Sequence, residues 1–228
     1  FVVARWENLF PVYALCIALA LAAVWTLRIE EKGRGAESPT GVKQSFALMA
    51  NPSIAFMVIA LFLYVGAEVG VNSWIATYLS AVHGMDLEKL ATLGIGFFFL
   101  ALMIGRFLGA IVLTWMSARR FFLVTSLVSI AGLVGIIAGG PSTAVASIFI
   151  TGLGFANIFP LIFSILIERF PEKANELSGL MVMAIAGGAV MPLVMGALAD
   201  MSVTASFMVP LASLAVVAAN AVTALRKG

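Results

Sequence analysis

Charge is scarce in this sequence. Charged residues make up 11% of its 228 positions, hydrophobic residues make up 62%, and the mean hydropathy is +1.11. A water-soluble domain of this length carries roughly twice that charged fraction, so a soluble fold is excluded and the bilayer is the natural solvent. There is one cysteine, Cys16, and one histidine, His83. A lone cysteine closes no intrachain disulfide and has no companions for a metal cluster. Cys16 reads as helix filler and His83 as a solvated residue at a helix end. No metal, cofactor or nucleic-acid partner is expected. No serine triad and no P-loop lysine is present, and "GLG" at 152–154 has no strand before it. An enzyme or an ATP-driven pump is therefore unsupported. No charged n-region precedes a short apolar core, so no signal peptide is expected.

What is present is a series of long apolar runs. Seven fit a membrane-crossing helix, which needs about 20 residues. They cover roughly 10–29, 54–81, 91–117, 121–139, 143–167, 177–200 and 203–225. They are too continuous for barrel strands. Because helices satisfy their own backbone groups in lipid, the fold class is an all-α membrane protein. The break after the first run, "RIEEKGRGAESPTGVKQS", is the longest and reads as a solvated linker. The expected organisation is a first unit over 1–29, a loop over 30–45, and a six-helix unit over 46–228. Breaks on one side carry Arg28, Lys32, Arg34, Lys43, Arg119, Arg120, Arg169, Lys173, Arg226 and Lys227. The other side carries Arg5 and Lys89. That ten-to-two bias predicts a cytoplasmic C-terminus, in a cell inner membrane. Six spans after the linker divide into two groups of three with opposite topology, the inverted repeat of a transporter half. A lone span before them implies earlier helices, so the sequence reads as a fragment whose N-terminal half is missing.

Polar residues at membrane depth mark the candidate site. Glu68, in "YVGAEVGVNSW", lies near the middle of its run. A charge there costs roughly 2.5–3.5 kcal/mol on insertion scales and is a functional candidate by default, although neutral helix packing is the alternative. Tyr64, Glu68 and Asn72 are four apart and share one face. Gly66 and Gly70 form a small-xxx-small pair that would admit a close neighbouring helix. Trp74 could stack on a sugar ring or mark the interfacial belt, and Tyr78 reads as belt. Arg106 is a second intramembrane charge, flanked by Gly105 and Gly109, and a Glu68–Arg106 contact is expected from their similar depth. Asn157 precedes Pro160 by three residues, and a proline inside a membrane helix frees a carbonyl and kinks the axis. Gly187, Gly188 and Pro192 repeat that pattern in the next run.

The stretches "YVGAEVGVNSWIATYL" (64–79), "GRFLGA" (105–110), "NIFPLIFSILI" (157–167) and "SGLMVMAIAGGAVMPLVMGALAD" (178–200) resemble helices 7, 8, 10 and 11 of the L-fucose and glucose/galactose proton symporters. Those belong to the major facilitator superfamily. The resemblance spans nearly all of 46–225 and identifies the chain as the C-terminal half, helices 6–12. It implies a central sugar cavity, alternating access, and a partner half carrying the fucose member's protonating acids. The "AEVG" form is similar to the glucose/galactose branch.

The leading expectation is uptake of a hexose (fucose, glucose or galactose) by proton symport. Asn72 and Asn157 would bind sugar hydroxyls, Glu68 would accept hydroxyl hydrogens or a proton, and Arg106 would balance charge. An exporter of drugs or amphiphiles is the transport alternative, suited by abundant Met and Phe. A non-transporting membrane sensor or assembly subunit is the alternative of another class.

Overall fold

The structure is a computed structural model that describes residues 9–26 and 42–226. The chain divides into two compact units at Pro39–Thr40. In the first, α1 runs over Leu9–Thr26, 18 residues without a charge, and holds Cys16. At 1.5 Å per residue it is about 27 Å long.

All regular secondary structure among the second unit's described residues is helical. Its elements are α2 (Val42–Ala47), α3 (Pro52–His83), α4 (Leu87–Val112), α5 (Ala118–Ala138), α6 (Pro141–Phe155), α7 (Ile158–Arg169), α8 (Ala174–Ala184), α9 (Gly187–Ala199), α10 (Val203–Ser206) and α11 (Met208–Arg226). Among the described residues, five segments are long and apolar enough to cross a membrane: Pro52–His83, Ala118–Ala138, Pro141–Arg169, Pro171–Ala199 and Val203–Arg226. The two other expected runs, 10–29 and 91–117, fall on α1 and on the 26-residue α4, which ends at Val112 where the chain turns at Leu113–Met116.

Three runs that the hydropathy shows as continuous are interrupted. The run over 143–167 breaks between α6 and α7 at Ala156–Asn157. The run over 177–200 breaks between α8 and α9 at Ile185–Ala186, and the last breaks at Phe207. Hydropathy averages over such turns because, Asn157 apart, the turn residues are themselves apolar.

α3 is the longest helix, at 32 residues. Pro52 opens it, and the Asn51 side chain accepts from the Ser53 N–H at 2.9 Å, a cap for one of the orphan donors of the first turn. Gly84, with φ of 63°, ends it in the left-handed conformation that glycine adopts without strain. α3 packs on α4, α9 and α11, and its buried residues include Ile54, Leu61, Tyr64, Ile75, Tyr78 and Leu79.

Membrane helices gain no hydrophobic drive from meeting each other, so close packing of small residues replaces it. Gly132 lies against Thr151, Gly135 against Ser147 and Gly154 against Ser129, locking α5 to α6. The hydroxyls of Thr125, Ser126, Ser129 and Thr151 bond back to carbonyls four residues earlier, so the seam needs no water. Tyr78 is fully buried rather than interfacial. Its ring sits 4.4 Å from Phe207 and its hydroxyl donates to the Ile137 carbonyl at 3.3 Å. His83 likewise departs from a solvated end, since its Nε2 is buried without a hydrogen-bond partner.

Candidate functional site

The site is built on the middle of α3, where helical spacing sets Tyr64, Glu68 and Asn72 on one face. Tyr64 is buried and Glu68 half-buried. The Tyr64 ring meets Phe155 edge-on, with centroids 5.7 Å apart. Its hydroxyl reaches two acceptors, the Glu68 carboxylate and, at 2.8 Å, the Phe155 carbonyl.

That carbonyl is available because of the break after α6. The ladder of α6 closes with Ala156 N–H to Gly152 O, and the next α-type bond runs from Leu161 N–H to Asn157 O. The carbonyls between lose their usual partners, and Pro160 has no N–H to offer Ala156. Tyr64 thus bridges an acid on α3 to the open end of α6.

A phenol has one hydrogen. If Glu68 is an anion, that hydrogen belongs on the carboxylate, and the Phe155 carbonyl receives nothing from Tyr64. If Glu68 is protonated, its own hydrogen can go to the Tyr64 oxygen, leaving the phenolic hydrogen for Phe155. The arrangement converts the state of one carboxyl into the pairing of a carbonyl at a helix break.

Arg106, on α4, lines the same space. A cavity of about 450 Å³ is bounded by Tyr64, Glu68, Arg106, Phe159, Pro160 and Ile185. A second, of about 310 Å³, shares Glu68 and Arg106 and is otherwise walled by Phe99, Leu102, Met103 and Phe107. Among the described residues no ion pair joins Glu68 to Arg106. The two side chains line the same cavities without the direct contact expected from their similar depth. Two of the three interrupted runs border this space, through Phe159 and Pro160 of α7 and Ile185 in the α8–α9 turn.

The other predicted residues lie elsewhere. Asn72 is one turn past Glu68, and its Oδ1 is buried without a partner. Asn157 is buried and points to α4, where its Nδ2 donates to the Gly105 carbonyl at 2.7 Å. Gly109 leaves room for that amide, since a Cβ there would lie 2.3 Å from Asn157 Oδ1. Asn157 and Glu68 therefore line different cavities. Trp74 donates from Nε1 to the Pro192 carbonyl at 3.2 Å, tying α3 to α9.

Gly66 and Gly70 do admit a close helix, and it is α9: Met191 lies on Gly66 and Met195 on Gly70. Gly187 presses on the Phe62 carbonyl, where a Cβ would come within 2.0 Å, and Gly188 packs on Val69. The Phe155 carbonyl had no signal in the sequence beyond the nearby Pro160, because a backbone acceptor is the same at every position.

Comparison with known proteins agrees with this architecture. The family model described as Major Facilitator Superfamily matches residues 1–191. A glucose/galactose transporter of Brucella abortus is 28% identical over 213 residues, which is 92% of this chain and 52% of that protein. A putative glucose/galactose transporter of Helicobacter pylori is 28% identical over 193 residues, 83% of this chain and 45% of its own length. The chain thus spans about half the length of the curated relatives it matches. The crystal structure of FucP in the outward conformation superposes with a TM-score of 0.78 at 21% identity, covering 94% of this chain and 53% of FucP. A variant of the E. coli fucose:proton symporter FucP gives 0.73 at 23%, covering 81% and 46%. At that identity the likeness is one of fold.

Proposed function

Because the chain belongs to the Major Facilitator Superfamily, we propose that it serves proton-coupled uptake of a hexose by alternating access, with Glu68 as a coupling acid. It is a multi-pass membrane protein, with five helical segments of membrane-crossing length among the described residues. We place it in the inner membrane with the C-terminus in the cytoplasm, following the basic bias of its loops. The wider protein would supply the other half of the cavity, and the two halves would rock about it.

One observation carries the reading: the Tyr64 hydroxyl shared between Glu68 and the Phe155 carbonyl, beside a cavity also lined by Arg106. Taking up a proton at Glu68 releases the phenolic hydrogen to the α6–α7 break, so a chemical event in the cavity reaches a joint in its wall. Arg106 balances the carboxylate when the proton leaves. Asn72 offers an unpartnered acceptor for a sugar hydroxyl. Asn157 positions α4 against the break through Gly105. The relatives' printed names, which include a glucose/mannose transporter of Bacillus subtilis, favour a hexose over a drug or amphiphile.

The test is Glu68→Gln in the full-length protein reconstituted in vesicles. Exchange of labelled hexose across the membrane should survive within about threefold. Accumulation driven by a proton gradient should fall at least tenfold. Unchanged accumulation of every hexose tried would remove Glu68 from the mechanism.

A further inference from the structure

A separate cavity lies at the end of the bundle where α3 and α5 begin and α7 and α11 end. It holds about 370 Å³ and shares no residue with the Glu68 site. Pro52 and Ser53 come from the first turn of α3, Arg119 from the first turn of α5, Arg169 from the last turn of α7, and Asn220 and Thr223 from α11.

These groups share a preference. The N-termini of α3 and α5 bring the positive ends of two helix dipoles to one place. Arg119 and Arg169 add two permanent cations, and among the described residues neither is in an ion pair. Arg169 rests over the Phe170 ring at 5.6 Å, a contact made by the face of the guanidinium and not by its edge. Glu168 lies nearby, but it lines the adjoining cavity with Arg119 and Arg120.

The independent sign is Asn220. It is 1% exposed and lines the cavity, yet neither Oδ1 nor Nδ2 has a partner. A buried amide with both ends unpaired is costly, and a bound polar ligand would remove that cost.

We propose that this cavity binds the phosphoryl group of a hydroxyl-bearing phosphate ester. The guanidiniums would grip its oxygens with paired N–H donors, as arginine does with phosphate. Asn220 Nδ2 would donate to a further phosphoryl oxygen, and Oδ1 would accept from a hydroxyl on the ester. A phosphatidylglycerol headgroup and soluble glycerol phosphate both present that chemistry.

The experiment labels arginines of the full-length protein with phenylglyoxal in nanodiscs, counting modified residues by mass spectrometry. In phosphatidylcholine discs, glycerol phosphate at constant ionic strength should slow labelling of Arg119 and Arg169 at least fivefold and leave Arg106 unchanged. In discs containing phosphatidylglycerol, the same protection without soluble ester would identify lipid as the source. Protection only by glycerol phosphate would identify the soluble ester. Chloride should protect neither residue. Asn220→Leu, which fills the same volume without polar atoms, should raise the protecting concentration at least tenfold while keeping the thermal midpoint. An unchanged protecting concentration would overturn the role given to Asn220. Absence of selective protection by either probe would overturn the site.

Discussion

The two interrupted helices that border the Glu68 cavity are built differently. The break between α6 and α7 is held by side chains from other helices. Tyr64 reaches the Phe155 carbonyl, and Asn157 reaches back to Gly105 on α4. The break between α8 and α9 is closed by its own backbone. Ile185, Ala186, Gly188 and Ala189 each donate to a carbonyl three residues earlier, which tightens the turn into 3₁₀ form. It is then fixed by contact, with Gly187 on the Phe62 carbonyl. The first joint depends on directional bonds, one of which involves a titratable partner. The second depends on shape, which no proton alters. Two joints in one wall can therefore differ in what moves them.

The sharpest way to break this contrast is Gly187→Ala. A Cβ there must displace backbone rather than a side-chain tip, so the variant should lose about 3 kcal/mol in equilibrium unfolding in mixed micelles. A loss below about 0.5 kcal/mol would mean the α3–α9 approach is loose. Next is Asn157→Ala, which removes the amide that meets Gly105 and should cost about 1.5 kcal/mol, near the upper range for hydrogen bonds between membrane helices. It should lower hexose affinity only through stability, so a large loss of binding at unchanged stability would return Asn157 to the sugar. The smallest effect is Tyr64→Phe, about 0.6 kcal/mol. Its value lies in pairing. Combined with Glu68→Gln it should be non-additive by about 1 kcal/mol, because the two groups share a hydrogen. Combined with Gly187→Ala it should add within about 0.5 kcal/mol. Equal coupling in both pairs would erase the distinction between the joints.

The spans themselves were legible because hydrocarbon imposes length and apolarity on any helix that crosses it. Glu68 and Arg106 stood out for the same reason: each breaks that pattern where breaking it is costly. Pro160, Gly187 and Gly188 signalled discontinuity, but not its position, since the turns fall at Ala156–Asn157 and Ile185–Ala186. Partners were harder still. Asn157 and Gly105 are 52 residues apart, and nothing local to either says that an amide will cross to α4 rather than face the cavity. The cavity of Arg119, Arg169 and Asn220 gathers residues from four helices. Each taken singly reads as loop charge or packing.

The seam between α3 and α9 has one directional tie, the indole of Trp74 on the Pro192 carbonyl. Beside it the thioethers of Met191 and Met195 rest on the bare backbone of Gly66 and Gly70. Thioether contacts are soft and carry no preferred direction. Everywhere but at the Trp74 indole, the grip of α9 on α3 is therefore a matter of fitted surfaces rather than aimed bonds.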